Sequence, residues 1–265
     1  MNLLGDRMEY VNIFGVKIFN IDFQEAINIA NRFLKEDRNH SIITPNTEIV
    51  MAAKDDEELR YIINGADLVI PDGIGLIYGS KMRGHPLKER VTGYDVSMEL
   101  LKILNESGGS LYMLGGKPGV TDKAEEKIKK DYENINIVGH HHGYFKGIHR
   151  GMKGDPEELE IIKEINSLKP DIIFLGLGFP KQEMFINEYK DKLNSKIIIG
   201  NGGVMDILAG NMKRAPEIFI KLHLEWFYRL LKEPSRIKRQ VAIPKFIFEI
   251  LKNKDSVKVE EDIWI

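Results

Sequence analysis

An α/β fold built on a doubly wound, mostly parallel sheet follows from three observations. Short runs rich in Ile, Val and Leu recur near residues 40–43, 68–70, 110–114, 171–175 and 196–199, each the length of a buried strand. Helical patterns separate them as far as Leu208, with short connections. Polar or Gly-rich turns close the strands: Thr44-Pro45-Asn46, Pro71-Asp72-Gly73, Leu114-Gly115-Gly116, Leu175-Gly176-Leu177-Gly178 and Ile199-Gly200-Asn201-Gly202-Gly203. With right-handed crossovers this is a Rossmann-like sheet covered on both faces. A small N-terminal hairpin precedes it and a C-terminal helical appendage follows. The boundary falls at 210, giving a core over 1–210 and an appendage over 211–265.

In chain order, residues 1–7 look dispensable, and Met8 offers an alternative start. Residues 11–19 read as two short strands about Gly15, a hairpin. Asp22 caps a helix over 23–34, where Ala26, Ile27, Ala30, Phe33 and Leu34 have helical spacing. After the 40–43 strand, Asn46 or Thr47 caps a helix to Ala53, with Glu48 in its first turn. A helix over 57–64 stops at Gly65. Leu68, Val69 and Ile70 form the next strand, which Pro71 ends because it cannot donate to a ladder. Helices follow over 75–82 and 96–105, then the 110–114 strand and a charged helix to Tyr132. A strand over 136–139 leads into a Gly- and His-rich loop, and a helix covers 158–168. The 171–175 strand, a helix over 184–193 and the 196–199 strand complete the alternation.

Composition narrows the class. At 43% hydrophobic and 29% charged residues, the 265-residue chain is globular, not disordered. It has no cysteine, which removes disulfides, thiolate nucleophiles and cysteine metal sites and suits a reducing cytosol. No run approaches the roughly 20 apolar residues that span a bilayer. The net charge of −2 is uneven. Residues 213–254 carry eleven Lys or Arg against four Glu, a net of +7, which leaves −9 for the rest. A basic tail on an acidic body points to an anionic partner: a membrane surface, a phosphate or a nucleic acid.

In a parallel sheet the strand-closing turns share one edge, so their side chains converge. Their glycines let backbone N–H groups approach a phosphate, and helix N-termini add favourable dipole. A nucleotide or phosphate ligand fits the five turns together, although any one of them is explained by the needs of a short connection. Asp72 sits just past a buried strand with Gly73 and Gly75 beside it, where a ligand can approach closely. A turn Asp bonded to its own backbone explains that stretch equally well. No dinucleotide fingerprint is present, because Gly176-Leu177-Gly178 is followed by Phe179-Pro180-Lys181. Gly115–Gly119 lacks the Gly-Lys-Ser/Thr ending of a P-loop. His140, His141 and His142 are adjacent, diverge in direction and make poor joint metal ligands, so no metal is assigned.

The tail differs in kind. Over 216–232, Phe219, Leu222, His223, Trp226, Phe227, Leu230 and Leu231 form an apolar stripe, with Glu217, Lys221, Glu225, Arg229 and Lys232 opposite. After Pro234, Arg236, Lys238 and Arg239 lead to a second amphipathic segment with Ile243, Phe246, Ile247, Ile250 and Leu251. Either the pair packs on the core, or it lies in a membrane interface with Lys and Arg toward headgroups. Exposed apolar positions serve equally as contacts of a homo-oligomer. Nucleic acid is the weaker partner, since no binding-module signature is present.

With these residues assembled, the chain resembles the WecG/TagA/CpsF family of glycosyltransferases, its TagA branch above all. The resemblance rests on Thr44-Pro45-Asn46, Asp72-Gly73, Arg90-Val91-Thr92-Gly93 with Asp95, Gly143-Tyr144-Phe145, Gly178-Phe179-Pro180-Lys181-Gln182-Glu183, Asn201-Gly202-Gly203 with Asp206, and Arg214-Ala215-Pro216. It implies inverting transfer of N-acetylmannosamine from a UDP donor to undecaprenyl-diphosphate-linked N-acetylglucosamine. The β-1,4 product is the linkage unit of wall teichoic acid. It also implies a cytoplasmic enzyme peripheral to the membrane that uses neither metal nor cofactor. Another UDP-sugar, or a regulatory protein that binds nucleotide without transfer, is the alternative.

Such a transfer needs a base at the acceptor hydroxyl, and Asp72 is the candidate. Thr44, too weak an acid for that task, is assigned to positioning beside it. Arg229, Arg236 and Arg239 are candidates for the developing diphosphate charge, if the tail folds back over the Asp72 turn. Arg83 and Arg90 are the best cations of the body for the same charge. Donor and acceptor contacts are expected from Asn46, Thr92, Gly93, Asp95, Gly178, Lys181, Gln182, Glu183, Asn201, Gly202 and Arg214, with Asp206 on the uridine.

Overall fold

The computed structural model describes residues 7–234 and 237–263. Six parallel strands form the main sheet in the order β4-β3-β8-β7-β5-β6. They are β3 (His40–Ile43), β4 (Leu68–Val69), β5 (Ser110–Gly115), β6 (Asn136–His141), β7 (Ile172–Gly176) and β8 (Ile197–Gly200). The central strands β3, β7 and β8 are buried throughout, β7 and β8 as unbroken apolar runs and β3 with His40 and Ser41 buried beside Ile42 and Ile43, as a sheet covered on both faces requires. At the edges, β4 shrinks to two residues before Pro71, and β6 is partly exposed and polar. β6 runs on through His140 and His141, which the sequence places in a loop.

The covering helices begin where the sequence puts their caps. In α1 (Phe23–Phe33), the Asp22 carboxylate accepts from Glu25 N at 2.8 Å, and Asp22 N donates to the Glu25 carboxylate at 2.8 Å. Such a capping box is worth about 1 kcal/mol. Asn46 caps α2 (Thr47–Asp55), Asp56 caps α3 (Glu57–Asn64), and α4 (Ile74–Met82) starts after Gly73. Thr92 caps α5 (Gly93–Ser107), and α6 (Val120–Asp131) follows the Gly115–Gly119 turn. Then come α7 (Pro156–Leu168), α8 (Lys181–Tyr189) and the short α9 (Val204–Leu208).

A second, antiparallel sheet has the order β2-β1-β9. The expected hairpin is β1 (Arg7–Ile13) with β2 (Val16–Phe19), and Arg7 already belongs to it. Its third strand, β9 (Val257–Ile263), pairs with all of β1 and is not anticipated by the amphipathic reading of the tail. The tail's long apolar stripe is also broken. It forms α10 (Glu217–Lys221) and α11 (Glu225–Lys232), with His223 between them at φ +58°. After α12 (Ile237–Gln240), α13 (Ala242–Lys252) buries Phe246 and Ile250 completely against the body. Gly79 of α4 is required there, because a Cβ would come within 2.6 Å of the Phe246 ring. Ile218, Leu222, Phe227 and Leu231, in α10, α11 and the turn between them, remain exposed. The tail is therefore docked at its far end and apolar toward solvent in its middle.

Candidate active site

The C-terminal ends of β3, β4, β7 and β8 meet in one cleft, roofed by the tail. Thr44 ends β3, and its hydroxyl donates to Gly200 O at 3.2 Å, tying the β3 turn to the β8 turn. Asn46 uses its side-chain oxygen to cap α2, accepting from Glu48 N at 2.9 Å and Ile49 N at 3.1 Å. Its amide nitrogen is thereby left for the cleft that the residue lines. Gly73 packs so closely on this turn that a Cβ would stand 2.9 Å from the Asn46 Cα, which explains the glycine after Asp72. A Cβ on Gly93 would likewise stand 3.0 Å from the Thr44 methyl group.

Asp72 is fixed by its backbone, with its N–H donating to Ile70 O at 3.0 Å and Pro45 O at 3.2 Å. Its carboxylate is sparsely bonded: Gly93 N donates to it at 3.4 Å, and Arg90 Nη2 stands 3.6 Å away. The side chain keeps 30% of its surface open to the cleft. Burial raises the Asp72 carboxyl above its ordinary value; Arg90 and Arg229 oppose this, Glu225 adds to it, and the Gly93 N–H opposes it. Arg90 is held by Asp72 O at 2.6 Å and by the Glu225 carboxylate at 3.0 Å.

The tail brings two of its three candidate arginines here. Arg229 of α11 and Arg239 of α12 line the cleft beside Asp72. Arg229 pairs with Glu225 at 2.7 Å, and Arg239 with Glu48 at 3.6 Å. Arg236 lies outside the described residues.

From Asp72 the cleft, about 240 Å³, runs past Thr92, Gly93, Gly178, Gln182, Asn201 and Gly202 to Asp206. Beyond Gly178, Gly202 and Asp206 it opens into a second cavity of about 320 Å³. That end is lined by Lys117, Arg150 and Lys181. It lies at the start of α6 and α8, whose N-termini favour an anion. Sequence reasoning anticipated Lys181 and missed Lys117 and Arg150. The signal for Lys117 was its place in a Gly-rich turn; Arg150 arrives only through the fold, where it donates to Tyr144 O at 3.1 Å.

Several expected contacts lie elsewhere. Arg83 does not reach the cleft. It donates to Ile250 O, and to Leu251 O at 2.8 Å, and so anchors α13 through carbonyls that a helix end leaves unpaired. Asp95 and Arg214 form a pair at 2.6 Å, with the Arg214 guanidinium 4.3 Å from the Tyr94 ring centre, outside the cleft. Glu183 is 1% exposed and sits beneath the cleft, accepting from Gln182 Nε2 at 3.1 Å. Burial pushes its carboxyl up to about 7. Asn201 is buried too, its amide donating to Ser97 Oγ at 3.0 Å. Of the three histidines, His140 pairs with Glu125 at 2.9 Å, and no group of three or more His, Asp or Glu that could hold a metal ion occurs among the described residues.

The cleft can hold an extended dianion at its basic end and a hydroxyl beside a carboxylate of raised basicity at the other. Known proteins match the sequence over most of the chain. The model of the Glycosyl transferase WecG/TagA/CpsF family matches residues 11–259. A Staphylococcus aureus (strain MRSA252) protein is 36% identical over 250 residues, 94% of this chain and 94% of its own. A Bacillus subtilis (strain 168) protein is 33% identical over 95% of this chain and 94% of its own. One from Bacillus spizizenii (strain W23) is 34% identical over 86% of this chain and 84% of its own. All three are named N-acetylglucosaminyldiphosphoundecaprenol N-acetyl-beta-D-mannosaminyltransferase. The chain belongs to the WecG/TagA/CpsF family of glycosyltransferases.

Proposed function

We propose that the protein transfers N-acetylmannosamine from UDP to the 4-hydroxyl of N-acetylglucosamine carried on undecaprenyl diphosphate, forming the linkage unit of wall teichoic acid. The names of its relatives support the acceptor and the sugar. The observation that carries the chemistry is the single cleft with Asp72 at one end and Lys117, Arg150 and Lys181 at the other. The donor's uridine lies near Asp206 and its α-phosphate toward the three cations and the helix N-termini, which leaves the β-phosphate and the sugar on the Asp72 side. The acceptor hydroxyl lies at Asp72, which takes its proton as the oxygen attacks the anomeric carbon from the face opposite UDP. Inversion follows from that geometry. The departing β-phosphate gains a negative charge, which Arg229, Arg239 and Arg90 stabilise from the Asp72 end. Thr44, Asn46 and Gln182 orient the sugars.

The lipid carrier stays in the bilayer, so the cleft must meet the membrane surface from the cytoplasmic side. The exposed apolar residues Ile218, Leu222, Phe227 and Leu231, on a tail of net positive charge, suit that contact. No described helix is long and apolar enough to cross a membrane, which is consistent with peripheral attachment. The test is UDP release in the presence of a short-chain lipid-diphosphate N-acetylglucosamine, with UDP-N-acetylmannosamine compared against other UDP-sugars. Release that depends on both that donor and the acceptor is expected. Binding of UDP without acceptor-dependent release would instead make this a nucleotide-binding regulatory protein.

A further inference from the structure

Glu225, on the polar face of the tail's amphipathic stretch, occupies the centre of the charged roof. It is 5% exposed, and its two carboxylate oxygens serve two guanidiniums: Oε2 meets Arg90 Nη2 at 3.0 Å, and Oε1 meets Arg229 Nη2 at 2.7 Å. The same Arg90 nitrogen is 3.6 Å from Asp72 Oδ1. Burial works against charge on Glu225, but Arg229 and Arg90 outweigh it and hold the carboxyl below its ordinary range. Glu225 is therefore ionised where the enzyme works.

We propose that Glu225 is a positioning residue that couples tail closure to the chemistry. Its carboxylate gathers Arg90 from the body and Arg229 from the tail and keeps both from closing onto Asp72. The inference rests on the reading of Asp72 as the general base. Two cations beside a base present a conflict. They are needed for phosphate, but a close hydrogen-bonded ion pair, tighter than the present 3.6 Å approach of Arg90, would strip Asp72 of basicity. A third, buried carboxylate resolves the conflict by holding the arginines at the cleft with their charge balanced. The other charged or titratable groups here are Glu48 from α2, Arg239 from α12 and His223 from the α10–α11 turn, with Arg214, paired with Asp95, also acting on Glu225. Glu48 and Arg239 pair with each other at 3.6 Å, so Glu225 is the group that balances Arg90 and Arg229.

The experiment measures kcat/KM against pH for the full chain, with a soluble lipid-diphosphate acceptor, in Glu225→Gln, Arg229→Gln and the double variant. In Glu225→Gln the arginines turn to Asp72, and the midpoint of the acid limb moves down by roughly one pH unit, with a slower plateau. In Arg229→Gln the limb moves up, because one cation is gone. In the double variant the charges balance again and the limb returns toward that of the wild type. A residue that merely staples the tail would lower the rate and the melting temperature without shifting the limb in opposite directions. Acid limbs in the single variants that coincide with the wild type overturn the proposal, as does an upward shift in Glu225→Gln. Glu225→Asp, which keeps the charge, retains the wild-type limb and covers the case in which the Gln variant does not fold. Asp72→Asn is run alongside. If it retains the wild-type rate, the base assignment itself fails; if it is inactive while the Glu225→Gln limb is unmoved, only the role of Glu225 falls.

Discussion

Two aspartates five positions apart bracket β4, and the structure treats them in opposite ways. Asp67, at the N-terminal edge of the sheet, accepts from Ser41 N and Ser41 Oγ at 2.9 Å each and from Arg38 Nη1 at 3.0 Å. Asp171 repeats the clasp before β7, accepting from Ser110 N and Oγ at 2.7 Å each. Asp72, at the C-terminal edge, receives one long N–H bond and a guanidinium at 3.6 Å. Burial raises the carboxyl at both positions, but at Asp67 bonds from His40 and Ser41 and the charge of Lys190 outweigh it and hold the group well below its usual range. Glu183, whose buried Oε2 has no partner, is a second acid of the C-terminal edge. One edge of the sheet saturates its acids and serves stability. The other leaves them under-bonded and keeps them reactive.

The sharpest way to break this comparison is to neutralise each aspartate in turn. Asp72→Asn should lower turnover a hundredfold or more while leaving the melting temperature at or above that of the wild type. Asp67→Asn should do the reverse, keeping kcat and losing about 2 kcal/mol of stability. The pH dependence has a definite sign. The folded value for Asp67 is depressed, so its contribution is present above the unfolded value, near 4, and is lost as pH falls below it. Asp67→Asn should accordingly flatten the acid side of the stability curve. Steady-state rates and urea melts at several pH values check both halves. An inactive Asp67→Asn with unchanged stability, or an active Asp72→Asn, would dissolve the distinction.

The next effect concerns the roof. Arg239→Ala should cost about tenfold in turnover on a soluble acceptor and leave stability within about 0.5 kcal/mol, since its side chain is 57% exposed and its pairing with Glu48 is a weak surface contact. Full activity on the soluble acceptor with weakened vesicle binding would move Arg239 from the diphosphate to lipid headgroups. Deleting the whole tail is a poorer test. It would strip β9 from β1 and uncover the pocket filled by Phe246 and Ile250.

The parts of the molecule that were legible share a physical cause. Central strands must be continuously apolar, helix starts need Asp, Asn or Thr, and strand-end turns need small or polar residues, so the sheet, the caps and the Asp72 turn are written locally. Arg90, Gln182, Asn46, Arg229 and Arg239, which line the cleft, are suggested by their places in or beside such turns or on the tail's amphipathic stretch. What stayed hidden depends on distant partners. Arg83 looks like any cation near a candidate site until α13 presents it with two carbonyls. Arg150 and Glu225 acquire their roles only when the Gly-rich loop and the tail fold over the sheet. β9 reads as a charged stretch, because a strand on one side of a small sheet needs few apolar residues.

The smallest expected effect tests whether the cleft edge is under-bonded in the ground state. Glu183 lies beneath Gln182, one oxygen unpartnered, with its carboxyl pushed up to about 7 by burial. Between about pH 4.5 and pH 7 the folded protein therefore keeps a proton that the unfolded chain has released, and stability falls as pH rises through that window. The full penalty, on the order of 3 kcal/mol, stands above pH 7. Glu183→Gln preserves the shape and still accepts from Gln182, but carries no charge to bury. It should match the wild type near pH 4 and exceed it by about 1–2 kcal/mol at pH 8, the gain being trimmed because a buried amide also needs partners. Turnover should change by less than about threefold, since the residue does not reach the cleft. Urea melts at pH 5 and pH 8 decide it. Parallel pH dependence in variant and wild type would mean that Glu183 titrates like an ordinary surface carboxyl, and the contrast between the two edges would then rest on Asp72 alone.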